Sequence, residues 1–366
     1  VTFADGKSYT PTEDDAATFF VDNYSSDKYS VQLEGNHLKL YLGQPHKHTV
    51  CVGTDCTDST HTDLSFSTLT CETGVAGEKQ LRCGDGNIAT KSGGYYTISD
   101  HFAKYMYLSD NLDLDAPILI STDLTLCLNG HNITSTANGD VIEVAADKTL
   151  TLCDCRGGDE TAEYGKITHA TGRIGRGVTL VSGGTLNMYS GQITGNYSEE
   201  AGGGVYITDV DRHGASSRET MAWLNITGGN IASNVSYRSE GAGIRVGQMV
   251  DAMIEGASKS TPVYITNNSC MSRFDWGGGG IFVQGDSQDA TNAGRLFVYN
   301  SYISSNTAGG YGGGVAVCPS GKTLVTNTEG TAIFGNSSAG NENPGEDHPN
   351  PAYKQEGNSG NDKAPH

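Results

Sequence analysis

The sequence predicts an all-β protein built as a right-handed parallel β-helix, a solenoid, with an N-terminal β-rich cap. Three observations carry this expectation: a glycine-led block recurs at near-constant spacing, the runs after it alternate apolar and polar residues, and most runs end on asparagine. The block reads Gly202-Gly-Gly-Val-Tyr-Ile207, Gly241-Ala-Gly-Ile-Arg-Val246, Gly278-Gly-Gly-Ile-Phe-Val283 and Gly312-Gly-Gly-Val-Ala-Val317, with starts 39, 37 and 34 residues apart. Weaker copies begin at Gly139 and Gly177. Each block precedes a second alternating run, as in Leu224-Asn-Ile…Ile231-Ala-Ser-Asn234 and Leu296-Phe-Val…Ile303-Ser-Ser-Asn306.

Period-two runs repeating once per 34–39 residues suit strands that pair in parallel with their counterparts one winding later. A propeller repeats at a similar length, but its blades use antiparallel hairpins that the glycine blocks do not provide. Val205, Ile244, Ile281 and Val315 would then stack inward as one ladder, and right-handedness follows the crossover preference of parallel strands. The asparagine ending each run is expected at a left-handed turn position.

Residues 1–95 read as a cap, 96–339 as the solenoid and 340–366 as a flexible tail or linker. In the first segment Tyr29-Ser-Val-Gln-Leu-Glu-Gly-Asn-His-Leu-Lys-Leu-Tyr41 alternates around a Gly-Asn turn, as a hairpin does. Cys51, Cys56, Cys71 and Cys83, with His46, His48 and His61 nearby, are spaced for either a structural zinc site or two disulfides. Either would staple the cap. Cys127 and Cys153 fall at equivalent positions of neighbouring windings.

Composition narrows the function. The chain carries 50 glycines in 366 residues without a triplet period, so collagen is excluded. A net charge of −19 and a pI near 4.8 repel phosphate backbones and anionic lipid, so neither nucleic acid nor a membrane surface is an expected partner. No apolar run is long enough for membrane insertion. The chain opens at Val1 without a signal segment, as a mature exported chain would.

The run Leu126-Cys-Leu-Asn-Gly-His-Asn-Ile133, Leu150-Thr-Leu-Cys-Asp-Cys155 and Leu186-Asn-Met-Tyr-Ser-Gly-Gln-Ile-Thr-Gly-Asn196, followed by the Gly-Gly-Gly-Val-Tyr block, resembles glycine-rich parallel β-helix repeats. Such repeats occur in secreted and cell-surface proteins of gut Firmicutes, and the likeness covers about residues 90–340. It implies a secreted or cell-surface location and a glycan or oligosaccharide partner, with further domains of a larger surface protein as another. Such regions occur in adhesins and in β-helix glycoside hydrolases of the lacto-N-biosidase kind. The resemblance assigns no catalytic residue here.

Residue patterns locate the candidate site. Long insertions are expected at one corner, over Thr208–Met221, Gly247–Ser260 and Gln284–Gly294, and solenoid insertions cluster on the binding face. Beside them the outward residues Tyr206, Arg245 and Phe282 form an aromatic–cation–aromatic row suited to sugar rings and hydroxyls. The opposite corner carries Glu240, Asp275 and Trp276, and Glu199, Arg238 and Asp275 align there as either a salt-bridge ladder or part of a carboxylate pair. Asp275, Asp209 and Asp286 are the candidate catalytic acids of a glycoside hydrolase, with Asp211 and His213 beside them. The alternatives are a non-catalytic adhesin using the same groove and a polysaccharide lyase using Arg245 with Asp251. No cofactor is required by these patterns; the Asp209…Asp211 and Asp286…Asp289 spacings also permit calcium.

Overall fold

The computed structural model describes residues 46–51, 61–156, 163–214, 221–272, 277–325 and 330–339, together with strand backbone at 29–34, 37–42 and 364–365. Among the described residues the chain is all β, with two single-turn 3₁₀ segments and no α-helix. It divides into two compact units, Val1–Ser67 and Thr68–His366.

The first unit holds two antiparallel pairs. Tyr29–Glu34 pairs antiparallel with His37–Leu42, Glu34 facing His37, which is the strand pairing expected from the alternation. Lys47–Cys51 pairs with His61–Ser65. The His48 ring lies 4.6 Å from that of Phe66.

In the second unit Leu69–Thr73, Lys79–Cys83 and Ile88–Ser92 pair antiparallel and lead into Tyr95–Ile98. Among the described residues from Tyr95 to Ser338, the strands pair with one another in parallel. Four ladders result. The glycine-block sheet aligns Ile118–Ile120, Ile142–Val144, Val178–Val181, Val205–Thr208, Ile244–Val246, Ile281–Val283 and Val315–Val317. A second sheet includes Leu124–Cys127, Thr149–Cys153, Thr185–Met188, Ala222–Ile226, Val250–Glu255 and Arg295–Tyr299. A third has eight strands, among them Gln192–Thr194, Asn230–Ala232, Val263–Thr266 and Ser301–Ser304. The fourth has five two-residue strands, from Tyr197–Ser198 to Ser337–Ser338.

The core is made by the inward half of each alternation. Val205, Ile244, Ile281 and Val315 are register partners and wholly buried, stacked with Leu224 and Leu296 of the second sheet and Ile231, Ile265 and Ile303 of the third. The glycine block has two separate backbone requirements. Its first glycine is left-handed, with φ of 72°, 69°, 73° and 60° at Gly202, Gly241, Gly278 and Gly312. Its third approaches the next block, so that a Cβ on Gly243 would stand 2.4 Å from the Gly280 carbonyl oxygen.

The asparagines have a different job from the one expected. The left-handed residue is the one before each, at Gly195, Ser233, Asn267, Ser305 and Gly335. Asn196, Asn234, Asn268, Asn306 and Asn336 turn inward and form a buried amide ladder between the third and fourth sheets. Each of the first four donates both its backbone N–H and its Nδ2 to the Oδ1 of the next, as Asn268 does to Asn306 at 3.0 Å each, while its own carbonyl accepts the N–H of the residue after that next asparagine. An inward polar side chain at a tight corner satisfies backbone groups that turning strands leave unpaired.

Candidate functional site

The outward face of the glycine-block sheet aligns Tyr206, Arg245 and Phe282 in register, as the alternation requires. Their exposure differs from the expectation. Phe282 is 1% exposed and is a packing residue, so the open aromatic row reduces to Tyr206. That ring carries two guanidinium groups, Arg176 at 4.3 Å and Arg245 at 5.0 Å from its centroid. Arg245 is itself held by Glu240 Oε1 at 3.1 Å and Gln284 Oε1 at 2.7 Å, while its Nη1 is buried and makes no hydrogen bond. Glu240 also accepts from the Ser239 hydroxyl, so it acts as the partner of Arg245.

Two of the three expected insertions stand at the corner beyond this sheet. Thr208–Met221 and Gln284–Gly294 each contain a 3₁₀ turn, Val210–Arg212 and Ala290–Asn292. The third differs: Val250–Glu255 is a strand of the second sheet, and Asp251 within it is buried and forked onto Arg295, its register partner. The alternation of Val250-Asp-Ala-Met-Ile254 continues the strand, and a bidentate arginine makes the buried carboxylate tolerable. The extra length falls instead at Gly256–Pro262, before the third sheet.

The two corner insertions bring His213 and Asp286 together, with His213 Nε2 hydrogen-bonded to Asp286 Oδ2. Asp286 Oδ1 accepts the backbone N–H of Gln288 and Asp289 at 2.7 and 2.9 Å. The Asp289 amide, then His213 and the Gln288 amide, hold the Asp286 carboxyl down at about 2. Asp209 is the opposite case. Its side chain has no exposed surface; Oδ2 accepts the Ala222 N–H at 3.1 Å and faces Arg212 Nε at 3.6 Å, and Oδ1 is unpartnered. Burial pushes this carboxyl above its ordinary value, with Arg212 opposing. Asp211 accepts from the Ser182 hydroxyl at 2.5 Å, and Asp289 caps the second 3₁₀ turn through Thr291. The hydrogen-bond partners of these carboxylates are thus protein donors.

Asp275 and Trp276 lie outside the described residues. Glu199 and Arg238, expected to align with Asp275, are exposed and joined through the backbone, Arg238 N–H to Glu199 C=O at 3.0 Å. Cys56 and the Cys51 side chain also lie outside them. Cys71 and Cys83 are free: Cys71 donates to the Asp113 carbonyl at 3.8 Å, and Cys83 is buried in the core, its thiol pushed up to about 11 by burial.

A second site has a form the sequence patterns above did not single out. The outward residues of the third sheet run Gln192, Asn230, Tyr264 and Tyr302 in register. Gln192, Asn230 and Tyr264 line an open groove of about 740 Å³ together with Tyr164, Tyr189, Glu163 and Ser260–Pro262. Tyr189 is 56% and Tyr264 40% exposed. The Tyr264 and Tyr302 rings stand 5.6 Å apart, and Phe334 meets Tyr302 edge-on at 6.2 Å, extending the aromatic line along the sheet. Gly228 and Gly229 form the floor; a Cβ on Gly228 would stand 2.2 Å from the Tyr189 carbonyl oxygen. The signal was present in the residue preceding each inward isoleucine: Gln192, Asn230, Tyr264 and Tyr302.

No helix among the described residues is long and apolar enough to cross a membrane. Comparison with known protein families, curated proteins and solved structures finds no match for this chain.

Proposed function

We propose that the chain is a right-handed parallel β-helix of a secreted or cell-surface protein, and that it binds a glycan along the outer face of its third sheet. The observation that carries this reading is the groove of about 740 Å³ lined by Tyr164, Tyr189, Tyr264, Gln192 and Asn230. Exposed rings offer apolar faces to sugar C–H groups, and the amides offer donors and acceptors to hydroxyls. The chain's net charge of −19 disfavours a polyanionic ligand, so a neutral oligosaccharide is the fitting class. Titration calorimetry against a panel of neutral and acidic oligosaccharides tests this. Binding of a neutral glycan that Tyr264→Ala weakens supports the reading; no binding across the panel overturns it.

Hydrolysis is the second reading, and the opposite displacement of two carboxyls at the insertion corner favours it. Asp209 is raised by burial and Asp286 lowered by hydrogen bonds, the division of roles that an acid and a carboxylate need. His213, more exposed than either, would be the group that meets substrate. Incubation with the same panel and product analysis by mass separates binding from turnover.

A further inference from the structure

We propose that Cys127, Cys153 and Cys155 form a zinc-binding site on the outer face of the second sheet. Cys127 and Cys153 are register partners on adjacent parallel strands. Neighbouring strands lie about 4.8 Å apart, so the two side chains rise side by side from one face. Cys155 follows one turn later, and its Sγ stands 3.6 Å from that of Cys127. The Cys155 thiol thus touches that of Cys127, and Cys153 stands beside Cys127 across the strand pair.

The turn carrying Cys155 is built rather than loose. The intervening Asp154 accepts backbone N–H groups from Gly130, Arg156 and Gly165 at 3.0, 2.9 and 2.6 Å. The Cys155 thiol donates to Asn129 Oδ1 at 3.7 Å, and Asn129 is anchored by its Nδ2 on the Leu108 carbonyl. Three sulfurs from two strands and one turn are therefore held together by backbone geometry before any ion arrives.

The spacing suits two ligands of one metal ion. Bonded sulfurs lie about 2.05 Å apart. Two thiolates on one tetrahedral zinc, each roughly 2.3 Å from it, stand about 3.8 Å apart. The Cys127–Cys155 separation of 3.6 Å matches the second case. On binding, each thiol releases its proton to solvent as the Zn–S bond forms, so no oxidant is needed. Three protein sulfurs leave one position of a tetrahedral zinc to a further ligand. Cys127 is buried, Cys153 half-buried and Cys155 exposed, so the ion enters from the Cys155 side.

Cobalt titration of the reduced full chain tests the site. One equivalent of Co²⁺ should give thiolate-to-cobalt charge-transfer absorption that Zn²⁺ abolishes. Cys155→Ser, at an exposed position, should fold normally by circular dichroism and lose most of that absorption, as should Cys153→Ser. Cys318→Ser and the Cys51→Ser/Cys56→Ser pair should retain it. No charge-transfer band in the parent chain overturns the proposal. So does a band that survives both Cys153→Ser and Cys155→Ser, or a Cys127–Cys155 disulfide that persists under mild reduction.

Discussion

His213 on one corner insertion hydrogen-bonds through Nε2 to Asp286 on another, 73 residues further along the chain. The pair clips the two insertions together, and Asn292 extends it by accepting the Gly214 N–H at 3.2 Å. The folded value of the Asp286 carboxyl, about 2, lies below the unfolded value of roughly 3.9. Its stabilising contribution is therefore complete above about pH 4 and lost as pH falls toward 2. Asp286→Ala should lower the denaturation midpoint at pH 7 and converge with the parent chain near pH 2. Denaturant titrations followed by circular dichroism across this range measure it; coincident midpoints at pH 7 would refute the clip.

Asp209 should behave with the opposite sign. Its carboxyl is raised by burial, so the folded chain holds that proton more tightly than the unfolded one, and the contribution weakens as pH rises through the folded value. Asp209→Asn keeps an acceptor for the Ala222 N–H, and Arg212 retains Asp147. The variant should match or exceed the parent's melting temperature at pH 7 and show a flatter decline from pH 4 upward. A large loss at pH 7 would mean that the Arg212 pairing outweighs desolvation.

Phe282→Ala should destabilise the fold, by about 3–5 kcal/mol for a buried phenylalanine in a packed site. Tyr206→Ala should cost less, because its ring is only partly buried and lies against the two guanidinium groups. Paired chemical denaturation curves give both values, and an unchanged midpoint for Phe282→Ala would contradict the packing.

Asn268→Ala removes one rung of the buried amide ladder. It strips the acceptor from the Asn234 N–H and Nδ2 and a donor from the Ile231 carbonyl. Each orphaned buried group costs about 1–3 kcal/mol, so a loss of at least roughly 3 kcal/mol is expected. Amide exchange should quicken most at Asn234 and Asn306; uniform protection there would argue against the ladder.

For the groove, Tyr189→Ala and Tyr264→Ala should each weaken oligosaccharide binding several-fold while leaving the melting temperature nearly unchanged. Ring stacking of this kind contributes on the order of 0.5–1.5 kcal/mol, and both rings are exposed. Equal affinity in parent and variants would move the ligand to another face.

That the chain is all β, and where its inward ladders run, is legible in the residue pattern. Val205, Ile244, Ile281 and Val315 were legible because a strand alternates with period two and identical spacing imposes identical register. It also placed Tyr206 beside Arg245, a consequence of that same register. What covers an outward residue depends on the fold: Phe282 and Tyr264 occupy equivalent outward positions in their own sheets, yet one is buried and the other open. The strand at Val250–Glu255, the inward turn of Asn268 and the meeting of His213 with Asp286 were likewise settled there. Local alternation specifies which side of a strand a residue occupies, but burial and partners at a corner depend on segments dozens of residues away, whose arrival no short-range pattern encodes.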